Sequence, residues 1–67
     1  MENLILYGAG HNASTCIEKY KARYNIFLVD SNKSKSGKMI NGLYIYTKAN
    51  VKKLLKDKEY RVYITPN

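Results

Sequence analysis

The chain has 67 residues, 45% of them hydrophobic, with a net charge of +7 and a single cysteine, Cys16. One cysteine forms no internal disulfide, and with His11 as the only histidine a four-ligand structural zinc site is excluded. A chain this short buries only roughly 60% of the surface it exposes when unfolded, so its core is expected to lean on a partner or on further chain.

Leu4-Ile5-Leu6-Tyr7 is a continuous apolar run closed by Gly8. Such a run suits a strand of a parallel sheet, covered on both faces. Ala13, Cys16, Ile17, Tyr20 and Tyr24 then recur at helical spacing and form one apolar stripe. Ile26-Phe27-Leu28-Val29 predicts a second strand ending at Asp30. Strand, turn, helix and strand within about thirty residues make a βαβ unit.

Ser31 to Gly42 is polar and without an apolar period, so it reads as a loop. Leu43-Tyr44-Ile45-Tyr46 predicts a short extra strand. Thr47 is placed to N-cap a second helix whose buried face is Val51, Leu54 and Leu55. Arg61-Val62-Tyr63-Ile64 predicts the third main strand, and Thr65-Pro66-Asn67 leaves it.

The order β-α-β-(β)-α-β predicts an α/β fold with helices and sheet in three layers. The expected sheet is parallel, its three main strands in spatial order 3-2-1 with a short extra strand. The first strand would then be an unpaired edge, and residues 1–67 would form half of a doubly wound domain, the N-terminal fragment of a longer chain. An apolar edge needs cover, expected from the remainder of the parent chain or from a second copy in a homodimer through the first strand.

The chemistry concentrates in Gly8-Ala9-Gly10-His11-Asn12-Ala13 and in Asp30-Ser31. The first segment matches G-x-G-x-x-G/A between a predicted strand and a predicted helix. Gly8 permits a tight turn, Gly10 lets a pyrophosphate approach the backbone, and Ala13 lets the helix pack close to the sheet. The first N–H groups of the helix and its dipole favour an anion there. Asp30, twenty residues after Gly10, can accept hydrogen bonds from ribose hydroxyls. His11 is expected to offer its backbone N–H rather than its imidazole. Cys16 falls on the buried stripe and reads as a small core residue.

Lys33, Lys35 and Lys38 follow the ribose position, where a cation could hold a 2′-phosphate. The carboxylate of Asp30 opposes that, so a ligand with a free 2′-hydroxyl is expected. Lys19, Lys21 and Arg23 close the first helix, and Lys52, Lys53, Lys56 and Lys58 decorate the second. Dispersed cations of this kind read as solvated faces rather than as a nucleic-acid surface. No apolar run of transmembrane length and no secretory leader pattern is present. The expectation is a cytoplasmic chain with neither a membrane nor a nucleic-acid partner.

Asn3 to Gly10 (NLILYGAG), FLVD ending at Asp30, Lys33, Gly37-Lys38, Ile40-Asn41-Gly42 and Ile45-Tyr46 carry a resemblance that spans nearly the whole chain. They resemble the N-terminal Rossmann-like module of bacterial polysaccharide-biosynthesis proteins, which occurs in nucleotide-sugar dehydratases and epimerases and, in a related form, precedes sugar acyltransferase domains. The resemblance implies that Gly8, Gly10 and Asp30 contact the phosphate and ribose of NAD or a nucleotide-sugar. It also implies that the parent enzyme modifies sugar nucleotides. Asp30 departs from the family in being followed by Ser31-Asn32 where further acids are common.

Two alternatives stand beside this reading, the first ranked below it and the second compatible with it. An S-adenosylmethionine-dependent methyltransferase would also use a glycine turn and an acid closing the second strand, but it would want glycine at Asn12. A non-catalytic association module would pair through the exposed first strand. No acid–base or nucleophilic constellation is legible in the sequence, so binding rather than catalysis is expected of these residues.

Overall fold

A computed structural model describes residues 1–66. They form β1 (Glu2–Tyr7), α1 (Ala13–Tyr20), β2 (Tyr24–Val29), β3 (Met39–Ile40), β4 (Leu43–Tyr46), α2 (Lys48–Leu54) and β5 (Tyr60–Ile64). Asn67, last residue of the expected exit from the final strand, lies outside the described residues. No helix among the described residues is long and apolar enough to cross a membrane.

The apolar run of β1 has no solvent side. Leu4 and Leu6 pack with Ala13, Cys16 and Ile17 of α1 and with Leu28 and Ile45. Ile5 points the other way and packs with Val29 and with Val51 and Leu55 at α2. Each face of the sheet therefore needs its own helix, and each helix supplies a short apolar stripe. Leu6, Ile17, Leu28 and Val29 are the largest fully buried side chains, each contributing about 1.5–3 kcal/mol of burial.

The sheet order is β3-β4-β2-β1-β5. β1 pairs in parallel with β2 on one side and with β5 on the other. β4 pairs in parallel with β2 at Leu28↔Ile45 and Val29↔Tyr46, and β3 pairs antiparallel with β4. The expected parallel 3-2-1 Rossmann-like sheet is thereby overturned: the sheet is mixed, and the strand at 60–64 lies beside β1, not beyond β2. The reason is the second apolar face. A parallel crossover is right-handed, so a helix on the face opposite α1 carries the chain across the sheet in the opposite direction, which delivers β5 to the far side of β1. The place expected for that strand is taken by β4.

Two consequences correct the sequence-based picture. β1 is not an edge, so it offers no strand for pairing with a second copy. The second flank of the glycine turn, expected to be missing, is supplied by β5 and the residues after it.

Local chemistry accounts for the remaining differences. α1 ends at Tyr20, with the Lys21 N–H bonded to the Ile17 carbonyl, and Tyr24 opens β2 opposite Glu2. The Tyr24 ring still meets Tyr20 edge-on at 5.9 Å, so it continues the apolar stripe in space without belonging to the helix. The segment read as a loop contains a 3₁₀ turn at Lys33–Lys35 and the strand β3. Asn41 and Gly42, with φ of 50° and 81°, form the two-residue turn that joins β3 to β4, a conformation that Asn-Gly adopts readily. Thr47 caps α2 as expected, its hydroxyl accepting the Asn50 N–H at 3.1 Å.

Leu54 is 46% exposed whereas Leu55 is 5% exposed, so of the expected trio on the second helix only Val51 and Leu55 are buried. Leu55→Ala is expected to lower stability by about 2–5 kcal/mol, enough to unfold much of so small a chain, while Leu54→Ala stays within about 1 kcal/mol of wild type. Urea denaturation of the two variants checks the difference, and equal losses would contradict the packing described.

Candidate functional site at the glycine turn

β1 and β5 are neighbours whose helical connections lie on opposite faces of the sheet. Such a point, outside the carboxyl ends of the strands, is where open sheets of this kind bind ligands. The glycine turn leaves β1 there, and Thr65 and Pro66 leave β5 there.

Gly8 has φ of +119°, and a Cβ built on it would lie 3.4 Å from the Thr65 Cβ. The backbone conformation therefore calls for glycine, whereas Thr65 would meet a Cβ at ordinary contact distance. Its N–H donates to the Val29 carbonyl at 2.7 Å, and the Thr65 N–H donates to the Tyr7 carbonyl at 3.0 Å, which stitches the turn between β2 and β5. Gly10 is different. Its φ is not positive, and no atom lies within 4 Å of where its Cβ would be. Nothing among the described residues requires glycine at this position.

Ala9 is buried and its N–H donates to Asp30 Oδ2 at 2.7 Å. Asp30 Oδ1 accepts the Asn32 N–H at 2.8 Å, an Asx turn at the end of β2. Lys35 Nζ lies 3.7 Å from Asp30 Oδ2 and 3.4 Å from the Ala9 carbonyl oxygen. The backbone N–H groups of Asn32 and Ala9, and then the Lys35 ammonium, hold the Asp30 carboxyl below its ordinary range. It is therefore ionised at neutral pH, and it fixes the glycine turn to the end of β2.

His11 is exposed, and its imidazole has no hydrogen-bond partner among the described residues. Asn12 occupies the N-cap position of α1, yet its side chain does not cap the helix. Its Nδ2 donates instead to the Pro66 carbonyl at 2.9 Å. The first turn of α1 carries no acid, and the His11 and Asn12 N–H groups find no acceptor among the described residues. Ala13 is fully buried in the core, its N–H bonded to the Gly10 carbonyl at 3.1 Å. Ser31 is exposed at the bend after Asp30.

The structure thus gathers Gly8 to Ala13 and Asp30 around one corner of the sheet, with Ser31 at its margin. It adds residues that sequence reasoning did not place there. Asn32 was legible as part of an Asp-x-Asn turn. Thr65 and Pro66 were not, because only the position of β5 brings them to Gly8. Thr65 is 7% exposed and its hydroxyl is without a hydrogen-bond partner among the described residues. Lys35, one of three loop lysines in the sequence, is the one that reaches Asp30. Two surface depressions lie elsewhere: one of about 960 Å³ between Glu2 and Lys58 at the opposite strand ends, and one of about 440 Å³ beside Tyr20, Tyr24 and Tyr63. Neither includes a residue of the glycine turn. No protein-family model matches this chain, and no curated protein matches it.

Asp30→Asn keeps the shape of the side chain but removes the charge that two backbone donors point at. The variant is expected to lose about 1–3 kcal/mol at neutral pH. Because the folded-state carboxyl sits below its unfolded value of about 3.9, the contribution is full above that value and disappears as pH falls through the folded one. Wild type and variant should therefore converge in stability at acid pH. Their denaturation curves from pH 7 downward test this, and a gap that does not narrow as the pH falls below the ordinary carboxylate range would contradict it.

Proposed function

We propose that this chain is a nucleotide-binding module that takes a nucleotide or nucleotide-sugar of the NAD type, with the diphosphate at the Gly8–Gly10 turn and the ribose at Asp30. The observation that carries the reading is Gly10. It needs no positive φ, and a Cβ on it would meet no atom within 4 Å among the described residues, yet it stands beside the uncapped first turn of α1. A missing side chain there leaves the room a phosphate needs, and the His11 and Asn12 N–H groups just ahead of α1, with the dipole of the helix, supply donors and a favourable field.

Asp30 fits the ribose role while holding the turn. Each carboxylate oxygen can accept two hydrogen bonds, so capacity remains after the Ala9 and Asn32 N–H groups are bound. Lys35 is engaged by Asp30 and by the Ala9 carbonyl, which favours a ligand with a free 2′-hydroxyl over a 2′-phosphate. The proposed role is to bind and orient. His11 is unpaired among the described residues and Cys16 is buried, and neither is assigned a catalytic part. The wider setting, an enzyme of bacterial surface-polysaccharide biosynthesis, rests on the resemblance of the NLILYGAG and FLVD segments.

The two glycines separate fold from function. Gly10→Ala should leave stability unchanged or raise it by about 0.4–1 kcal/mol through the unfolded state, while weakening binding at least tenfold. Gly8→Ala should instead cost about 1–3 kcal/mol of stability. Calorimetric titration with NAD, UDP-glucose and S-adenosylmethionine, beside thermal unfolding of each variant, tests the pair. The reading fails if wild type binds neither NAD nor UDP-glucose, or if Gly10→Ala binds them as well as wild type does.

A further inference from the structure

The Thr65 hydroxyl is buried with nothing to bond. The residue is 7% exposed, and its Oγ1 is closed to solvent and without a hydrogen-bond partner among the described residues. A buried hydroxyl in that state destabilises the chain, whereas an apolar group of the same shape would not. Such orphans are few in folded proteins, and an unfilled binding role is one physical reason for keeping one.

The position of Thr65 in the sheet says what it faces. Tyr63 is the register partner of Leu6, which packs with α1, and the Tyr63 ring lies 5.6 Å from that of Tyr20. Side chains alternate along a strand, so Thr65, two residues on, also stands on the α1 face. Its N–H meets the Tyr7 carbonyl at 3.0 Å, which sets it beside Gly8. Its Oγ1 lies 3.9 Å from the point a Gly8 Cβ would occupy. The hydroxyl is therefore aimed into the glycine turn, at the place where Gly8 has no side chain.

One side-chain bond spans the same place. Asn12, directly ahead of α1, leaves its helix uncapped and donates from Nδ2 to the carbonyl of Pro66, the residue after Thr65. That bond is exposed, and an anion arriving at the start of α1 competes with it.

We infer, on the nucleotide-binding reading of this site, that the Thr65 hydroxyl is a further phosphate donor, uncovered when the Asn12–Pro66 bond opens. The His11 and Asn12 N–H groups hold one phosphate over Gly10, and Thr65 donates to the second across Gly8. Donors on both sides of the turn select a diphosphate over a single phosphate. A hydroxyl bound to an ionised oxygen makes a short, strong hydrogen bond, and the orphan is satisfied only in the complex.

Calorimetric titration with ADP, AMP, UDP and UMP is the experiment, with the better-bound base deciding. Thr65→Val keeps the shape and removes the donor. It should weaken the diphosphate about tenfold or more, leave the monophosphate within about threefold, and melt no lower than wild type. Thr65→Ser keeps the hydroxyl and should stay within about threefold of wild type for both. Asn12→Ala keeps the N–H and removes the strap, so the diphosphate should bind at least as tightly as to wild type. Diphosphate binding that Gly10→Ala weakens and Thr65→Val does not overturns the inference while the nucleotide reading stands. Equal losses for diphosphate and monophosphate in Thr65→Val, a lower melting temperature of that variant, or weaker binding by Asn12→Ala overturn it as well. A wild-type chain that binds none of the four removes the nucleotide reading and the inference together.

Discussion

The first strand has two apolar faces, and the rest of the fold follows from covering both. Leu4 and Leu6 draw α1 onto one side, and Ile5 with Val29 draws α2 onto the other. Helices on opposite faces send their crossovers in opposite directions across the sheet. β2 and β5 thus come to flank β1, and the segment leaving β1 opens between diverging connections. The glycine turn stands in the corner this makes.

Within that corner a single carboxylate organises the backbone. Asp30 reaches from the end of β2 to the Ala9 N–H and closes its own turn through Asn32. These bonds hold it ionised, and Lys35 partly balances its charge. With Gly8 turned by its positive φ beside Thr65 and Ala13 sunk in the core, the turn is fixed from three sides and open on the fourth, over Gly10. The open side also has the uncapped start of α1, because Asn12 binds the Pro66 carbonyl instead of its own helix. Rigid main-chain donors facing open space are what a diphosphate uses.

Much of this was legible before any coordinates. The apolar runs at Leu4–Tyr7, Ile26–Val29, Leu43–Tyr46 and Arg61–Ile64 each mark a strand, and Thr47 marks the start of α2. The glycine turn and Asp30 come together as their spacing implies. Strand order was not legible, since an apolar run states that a strand is buried but not which neighbours bury it. The alternation of Ile5 against Leu4 and Leu6 held that information only once each helix could be assigned a face. The Asn41-Gly42 dipeptide was a hairpin signal hidden inside a polar stretch. Tyr24 imitated helical spacing because it packs on Tyr20 from a strand. Thr65 is invisible as a site residue for the same reason that β5 was misplaced.

The central claim, that the open face of the Gly8–Gly10 turn receives a nucleotide diphosphate, is most directly tested by the crystal structure of the chain grown with NAD or a UDP-sugar. Phosphate oxygens are expected over Gly10 within hydrogen-bonding distance of the His11 and Asn12 N–H groups, with a ribose hydroxyl on Asp30. A ligand seated instead beside Tyr20, Tyr24 and Tyr63, with the glycine turn empty, would contradict it.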